Sequence, residues 1–139
     1  MERPSFGLTI GHFALFVLTI HAIYLGLTFV LAFETWDNLV FIPMIAPSFA
    51  IGLWWTRRSG SVPKKGEAWR FARSFAAVQT VLYGLVVTLI LAAMQDRTHL
   101  VLTTIVFVVT MVCLFVLLLF TTRFAFRAGA KFGLSTIRA

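Results

Sequence analysis

Three histidines are the residues most able to do chemistry in this chain: His12, His21 and His99. Imidazole side chains on membrane helices can hold a haem or a metal ion, provided that two of them face each other at one depth. His12 and His21 are nine residues apart, which places them on opposite faces of a helix. Along the expected helices, His12 lies near one end, His21 near the middle and His99 at the far rim. We therefore expect no cofactor and no metal site.

Other catalytic patterns are also missing from the sequence. Nothing in it resembles a nucleophile–base pair or a phosphate-binding loop, and Cys113 has no second cysteine with which to pair. The apolar stretches carry no Asp, Glu, Lys or Arg in their interiors, although such charges are usual in ion-coupled transporters. We predict a protein that is not an enzyme, with a lipid-modifying enzyme as the remaining catalytic alternative.

Weakly polar residues inside the apolar stretches form a second candidate group. If the centres of the stretches are matched, four such side chains fall at a similar depth: His21, Ser48, Tyr83 and Thr110. An unsatisfied polar group costs several kcal/mol in hydrocarbon, so such side chains usually face protein. We expect an interior hydrogen-bonded cluster, which either holds the helices together or lines a pathway. A second level, nearer the cytoplasm, would pair His12 with Gln79.

Small residues recur every four positions on the third apolar stretch: Ala76, Thr80, Gly84 and Thr88. Helices in a bilayer associate by close packing and a few hydrogen bonds, so this stripe predicts either a seam between the helices or a face for a partner. Gly129-x-x-x-Gly133 matches a helix-dimer spacing as well. It lies outside the apolar spans where that motif acts, so we do not expect it to pack helices.

The composition that surrounds these residues is that of an integral membrane protein. The chain has 139 residues, of which 60% are hydrophobic and 12% charged, and its mean hydropathy is +0.94. Soluble domains have roughly a quarter of their residues charged. A membrane is therefore the expected solvent for most of this chain.

The apolar stretches predict transmembrane helices at about 6–33, 39–55, 74–94 and 100–120. The last contains sixteen Leu, Ile, Val and Phe residues, which favour insertion by roughly 6 kcal/mol at ~0.4 kcal/mol each. The second is the shortest, about 25 Å at the helical rise, and contains Pro43 and Pro47. The predicted fold is all-α: one transmembrane domain over 1–139, an up-down-up-down four-helix bundle.

The basic residues predict how these helices are threaded. Of the twelve Lys and Arg residues, six lie in the loop 56–73 and four in the tail 121–139, and Arg3 lies before the first helix. Cationic segments beside membrane spans stay in the cytoplasm, so both termini are predicted to be cytoplasmic. Because the net charge of +7 is concentrated in short flanking segments, we expect anionic lipid headgroups as partners and not nucleic acid. The cations concerned are Arg57, Arg58, Lys64, Lys65, Arg70, Arg73, Arg123, Arg127 and Lys131.

Two segments at the predicted membrane surface carry a resemblance. They are Pro63-Lys64-Lys65-Gly66-Glu67-Ala68-Trp69-Arg70-Phe71-Ala72 and Gly129-Ala130-Lys131-Phe132-Gly133. Together with the four predicted spans, they resemble an uncharacterised family of small four-span bacterial inner-membrane proteins. The resemblance implies a multi-pass protein of the bacterial inner membrane, and it implies no activity.

The absence of a charged pore residue, a cofactor pair and long loops favours a binding function. We expect the protein to bind another membrane component, as an accessory subunit or as an immunity protein against a membrane-active toxin. The alternative is a homo-oligomeric small transporter or channel, with the level of His21 as its pathway.

Overall fold

The computed structural model describes residues 3–31, 41–93 and 100–138, and α-helix is the regular secondary structure in these ranges. The predicted all-α class is confirmed. The connections between the first and second and between the third and fourth predicted spans, residues 34–38 and 95–99, lie outside the described residues. The four helices are α1 (Phe6–Leu31), α2 (Phe41–Ser59), α3 (Lys65–Ala93) and α4 (Leu100–Arg138).

Three of the described helices are long and apolar enough to cross a membrane, over Phe6–Tyr24, Lys65–Leu89 and Thr104–Ile137. Within the described residues, α2 is not among them. The predicted second span begins at residue 39, outside the described range, so a fourth membrane crossing remains a prediction. One unbroken helix, α4, covers both the predicted fourth span and the predicted tail.

Only a short turn separates α2 from α3. Gly60 ends α2 with a φ of 64°, and its N–H donates to the Thr56 carbonyl oxygen at 2.8 Å. Glycine adopts this left-handed conformation without steric cost, which suits it to the helix end. At the start of α3, the Glu67 carboxylate accepts the Lys64 N–H at 2.8 Å. Of the predicted loop 56–73, residues 60–64 alone are non-helical.

The backbones of α2 and α4 approach each other so closely that glycine is required. A Cβ atom placed on Gly129 would collide with the carbonyl oxygen of Phe49, and one placed on Gly52 would collide with that of Phe126. Backbone atoms cannot turn away as a flexible side chain can. Any larger residue at either position must push the two helices apart.

The same contact includes Gly133 and a hydrogen bond between the helices. The buried Thr56 hydroxyl donates to the Ala130 carbonyl oxygen at 2.8 Å, and a Cβ on Gly133 would lie 3.3 Å from that of Thr56. The expectation that Gly129-x-x-x-Gly133 does not pack helices is therefore wrong. Because α4 continues without a break, the motif lies beside α2 in the protein interior and needs no lipid surroundings.

Aromatic side chains from all four helices form the core. Phe13 of α1 stacks on Phe75 of α3 with ring centres 4.0 Å apart. Phe126 of α4 meets Phe75 edge to face at 5.5 Å and Trp55 of α2 at 6.1 Å. Phe71 completes this aromatic core. The core lies near the end of the bundle where α2 ends and α3 begins, which we call the basic end.

The opposite part of the bundle, which we call the open end, is much less tightly packed. Helix α1 packs on α2 and α3, and α4 packs on the same two helices. Away from the basic end, α3 and α4 leave many large apolar side chains exposed, including Val81, Leu85, Val86, Leu89, Ile105, Val106, Val108, Val109 and Val112. Such a surface is suited to lipid or to another apolar partner.

Gly129→Ala is expected to destabilise the protein by about 1–3 kcal/mol, the usual cost of forcing extra atoms into a packed interior. The matched control is Gly11→Ala on α1, where nothing lies within 4 Å of the added Cβ. Removing an exposed helical glycine should instead stabilise by about 0.5–1 kcal/mol. Denaturation with SDS, followed by circular dichroism, measures both. Equal effects of the two substitutions would contradict the proposed backbone contact.

Candidate functional site

A half-open cavity of about 530 Å³ lies between the four helices, on the open-end side of the aromatic core. Its walls are mostly aliphatic, with contributions from Val17 and Leu18 of α1, Pro43 of α2, and Leu114 of α4. Polar residues also border it: His21, Tyr24, Gln79, Tyr83 and Thr110. A cavity with this composition suits an apolar occupant.

His21 and Tyr83 form a hydrogen-bonded pair beside the cavity. The Nδ1 atom of His21 is 2.7 Å from the Val17 carbonyl oxygen, which can only accept, so Nδ1 carries the hydrogen. In the neutral ring Nε2 is then an acceptor, and it accepts a hydrogen bond from the Tyr83 hydroxyl at 2.9 Å. The pair links α1 to α3 and leaves neither ring nitrogen without a partner.

Gln79 also borders the cavity, although the sequence placed it nearer the cytoplasm than His21 and Tyr83. Its side chain is fully buried, and Nε2 donates to the Met44 carbonyl oxygen of α2 at 3.0 Å. Oε1 has no hydrogen-bond partner among the described residues. Since Gln79 precedes Tyr83 by one helical turn, their spacing was a signal that the two share a face.

The predicted pairing of His12 with Gln79 is wrong. The Nδ1 atom of His12 is 2.8 Å from the Leu8 carbonyl oxygen, within its own helix. The imidazole ring stacks on Trp54 with centres 4.4 Å apart. His12 lies on the side of α1 that faces Trp54 of α2. Gln79 also contacts α2, but at Met44, which is further from the basic end.

The other two residues of the predicted polar cluster lie apart from the His21–Tyr83 pair. Thr110 borders the same cavity but is exposed. Ser48 is fully buried in α2, is not part of the cavity wall, and its hydroxyl has no hydrogen-bond partner among the described residues. The structure thus brings three of the four to one cavity and joins two by a hydrogen bond.

The small-residue stripe on α3 changes its surroundings along its length. Ala76 is fully buried, and the Thr80 hydroxyl is buried without a partner among the described residues. A Cβ on Gly84 would lie 3.5 Å from the Met111 sulfur of α4, which is ordinary contact. Thr88 is exposed, and its hydroxyl donates to the Gly84 carbonyl oxygen at 2.7 Å. The stripe therefore begins inside the bundle and ends on its surface.

The predicted headgroup-binding cations differ in how they are held. Six of them are exposed on α2, the turn and α3, and a seventh, Lys131, is exposed on α4: Arg57, Arg58, Lys64, Lys65, Arg70, Arg73 and Lys131. Arg70 lies over the Phe6 ring, 4.0 Å from its centre. Arg123 and Arg127 of α4 are half-buried.

A shallow groove of about 380 Å³ runs along α4 at the basic end, and we call it the basic groove. The Arg123 guanidinium lies 4.2 Å from the centre of the Trp69 ring of α3, and Trp69 meets Phe120 edge to face at 5.7 Å. The sequence predicted these cations as headgroup contacts but did not predict the contact with Trp69. The groove is lined by Phe120, Arg123, Phe124, Arg127, Ala128 and Lys131.

Within the described ranges 3–31, 41–93 and 100–138, no three His, Cys, Asp or Glu side chains are close enough to hold a metal ion. His99 lies outside these ranges. Cys113 is a free, exposed thiol on α4.

Comparison of the chain with protein-family models, with curated proteins and with solved structures finds no match.

The His21–Tyr83 hydrogen bond is expected to stabilise the fold modestly. In a double-mutant cycle of His21→Leu and Tyr83→Phe, we expect a coupling energy of about 0.6 kcal/mol, the average for hydrogen bonds between membrane helices. Each single substitution should lower the midpoint of SDS denaturation slightly. Strictly additive effects would mean that the bond does not contribute to stability.

Proposed function

We propose that the protein is a four-span protein of the bacterial inner membrane, with both termini in the cytoplasm, that acts by binding another membrane component at its open end. The bound component is a transmembrane helix of a partner protein, for which this chain serves as an accessory subunit or as an immunity protein. The observation that carries the proposal is the half-open apolar cavity walled by all four helices.

The distribution of charge supports the orientation. Arg57, Arg58, Lys64 and Lys65 lie together at the basic end, and three helices of membrane length extend from it. Segments rich in Lys and Arg remain on the cytoplasmic side during insertion. The open end then lies in the outer part of the membrane, where its exposed apolar side chains contact lipid or a partner.

The shape of the open end supports a helix as the occupant. Packing of side chains against a shaped surface, with a few hydrogen bonds, is what drives helix association in lipid. The cavity provides such a surface between the four helices, with the exposed Thr110 among its lining residues, and Thr88 is exposed one helical turn beyond Gly84 on α3. An acyl chain would fill the same volume but would make no specific contacts with Thr88 or Thr110.

A homo-oligomeric transporter or channel is the second candidate. One observation favours it: the His21–Tyr83 pair borders the cavity, so copies assembled through their open ends would bring polar groups to a shared path. If this candidate holds, His21→Leu abolishes transport and leaves stability nearly unchanged.

Topology is tested with a reporter that is active only outside the cytoplasm. Fusions after Asp37 or Asp96 are expected to be active, and fusions after Lys64 or at Ala139 inactive, because cationic segments are retained inside. An active fusion after Lys64 would contradict the proposed orientation. Adding Lys or Arg to residues 34–38 should weaken or invert insertion.

The binding site is tested by filling the cavity from its rim. Val86 lines the cavity and is 52% exposed, so Val86→Trp should fold normally and obstruct the occupant. An overpacking cost above ~1.4 kcal/mol lowers partner recovery about tenfold or more. Co-purification from native membranes in mild detergent, quantified by mass spectrometry, measures the effect.

The matched control is Val81→Trp, on the same helix at a position that is 70% exposed and outside the cavity lining. It should keep the partner at the parental level. Equal loss in both variants would contradict binding at the cavity. A homo-oligomer that passes solute in liposomes, without any other protein retained, would overturn the proposal in favour of the transporter.

A further inference from the structure

We propose that the basic groove of α4 is a specific site for the phosphate of an anionic membrane phospholipid. It is distinct from general attraction between the basic end and a charged membrane surface. The inference is independent of what occupies the cavity, because the groove lies at the opposite end of the bundle and is lined by different residues.

Arg123 and Arg127 are spaced to share one anion. They lie one helical turn apart, a rise of about 6 Å, on the side of α4 that faces the groove. A guanidinium group presents several N–H donors in a plane and binds phosphate oxygens in pairs, which makes arginine the preferred residue for this ligand. Lys131, one turn further on, adds a third positive charge.

The structure holds Arg123 in place before any ligand binds. Its guanidinium lies over the Trp69 ring, and Phe120 packs edge to face with that ring. A side chain that is already ordered loses less conformational entropy when it binds. The pair Arg57 and Arg58, by contrast, is exposed on the last turn of α2 and does not line the basic groove.

Neither arginine of the groove has its charge balanced within the described residues. Glu67 is the one carboxylate that these residues include, and it binds Arg3 at 3.3 Å and the Lys64 N–H at 2.8 Å. The Nε atoms of Arg123 and Arg127 are buried with no hydrogen-bond partner in the described part of the chain. Buried donors without acceptors are costly, so an anion bound in the groove would satisfy donors that the described residues leave unpaired.

The apolar residues of the groove distinguish a lipid phosphate from a free one. Phe120 and Phe124 are 56% and 77% exposed beside Arg123, and further apolar side chains, Val116 and Leu117, are exposed on the preceding turn. A phospholipid bound with its phosphate at Arg123 and Arg127 would lay its acyl chains along this surface. Free phosphate would leave these side chains uncovered.

The test uses the full chain purified in mild detergent, with native mass spectrometry to measure bound phosphatidylglycerol and phosphatidylcholine at equal concentration. We expect a preference for phosphatidylglycerol. Each cation that contacts the lipid contributes about fivefold to binding, so R123Q/R127Q should lower phosphatidylglycerol binding about 25-fold. The comparison variant R57Q/R58Q removes the same charge from exposed positions outside the groove, where attraction to headgroups is general, and should lower phosphatidylglycerol binding clearly less than about 25-fold.

Two further variants test the site if R123Q/R127Q does not fold. Lys131→Gln removes an exposed cation of the groove and should lower binding about fivefold. Arg123→Lys keeps the charge but loses the planar donors, and should also weaken binding. Equal losses in R123Q/R127Q and R57Q/R58Q, or no loss in Lys131→Gln, would overturn the site. Displacement of phosphatidylglycerol by an equal concentration of inorganic phosphate would overturn the lipid assignment in favour of a free anion.

Discussion

The backbone contact between α2 and α4 is the constraint on which the rest of the structure depends. Gly52 and Gly129 bring the two helices together with no side chain between them, and the bond from the Thr56 hydroxyl to the Ala130 carbonyl oxygen fixes their relative position. Trp55 and Phe126 meet as a result, and α1 and α3 then pack on the pair through Phe13 and Phe75. Without the two glycines, α2 and α4 would be too far apart for the aromatic core to pack as it does.

This arrangement divides the molecule into a tightly packed part and a loosely packed part. At the basic end, large aromatic rings fill the space between helices, and buried threonine hydroxyls bond to backbone carbonyls, as that of Thr122 does to the Leu118 oxygen at 2.6 Å. Toward the open end the interior contains a cavity, and the apolar side chains face outward. The aromatic core and the cavity proposed to bind a partner thereby lie at different ends, so a partner bound at the cavity would leave the core undisturbed.

Hydropathy predicted the helical class because long apolar runs in this chain have few alternatives to helix. Depth along a helix was predictable in the same way, and it matched His21 with Tyr83. The rotation of each helix about its axis was not predictable from depth alone. For α2, whose length and prolines obscure its faces, Ser48 was grouped with residues that it does not meet. For α1, His12 was paired with Gln79 although its ring stacks on Trp54. The role of Gly129 was missed for a related reason: the charges at Arg123, Arg127 and Lys131 indicate a surface segment, yet the opposite face of the same helix is buried against α2. The number of charges along a segment does not show that one face of the helix is exposed and the opposite face is buried.

The position of the aromatic core along the chain has a consequence for biosynthesis. Phe126 and Gly129 lie in the C-terminal part of α4. The contact of α2 with α4 therefore cannot form until nearly all of the described residues have been synthesised. At ~5–20 residues per second, the ribosome needs several seconds to proceed from α2 to the end of α4. During that interval α1, α2 and α3 exist without the helix that completes the core. A chain of this kind relies on its surroundings, and not on its own interior, to keep the early helices apart from other nascent proteins.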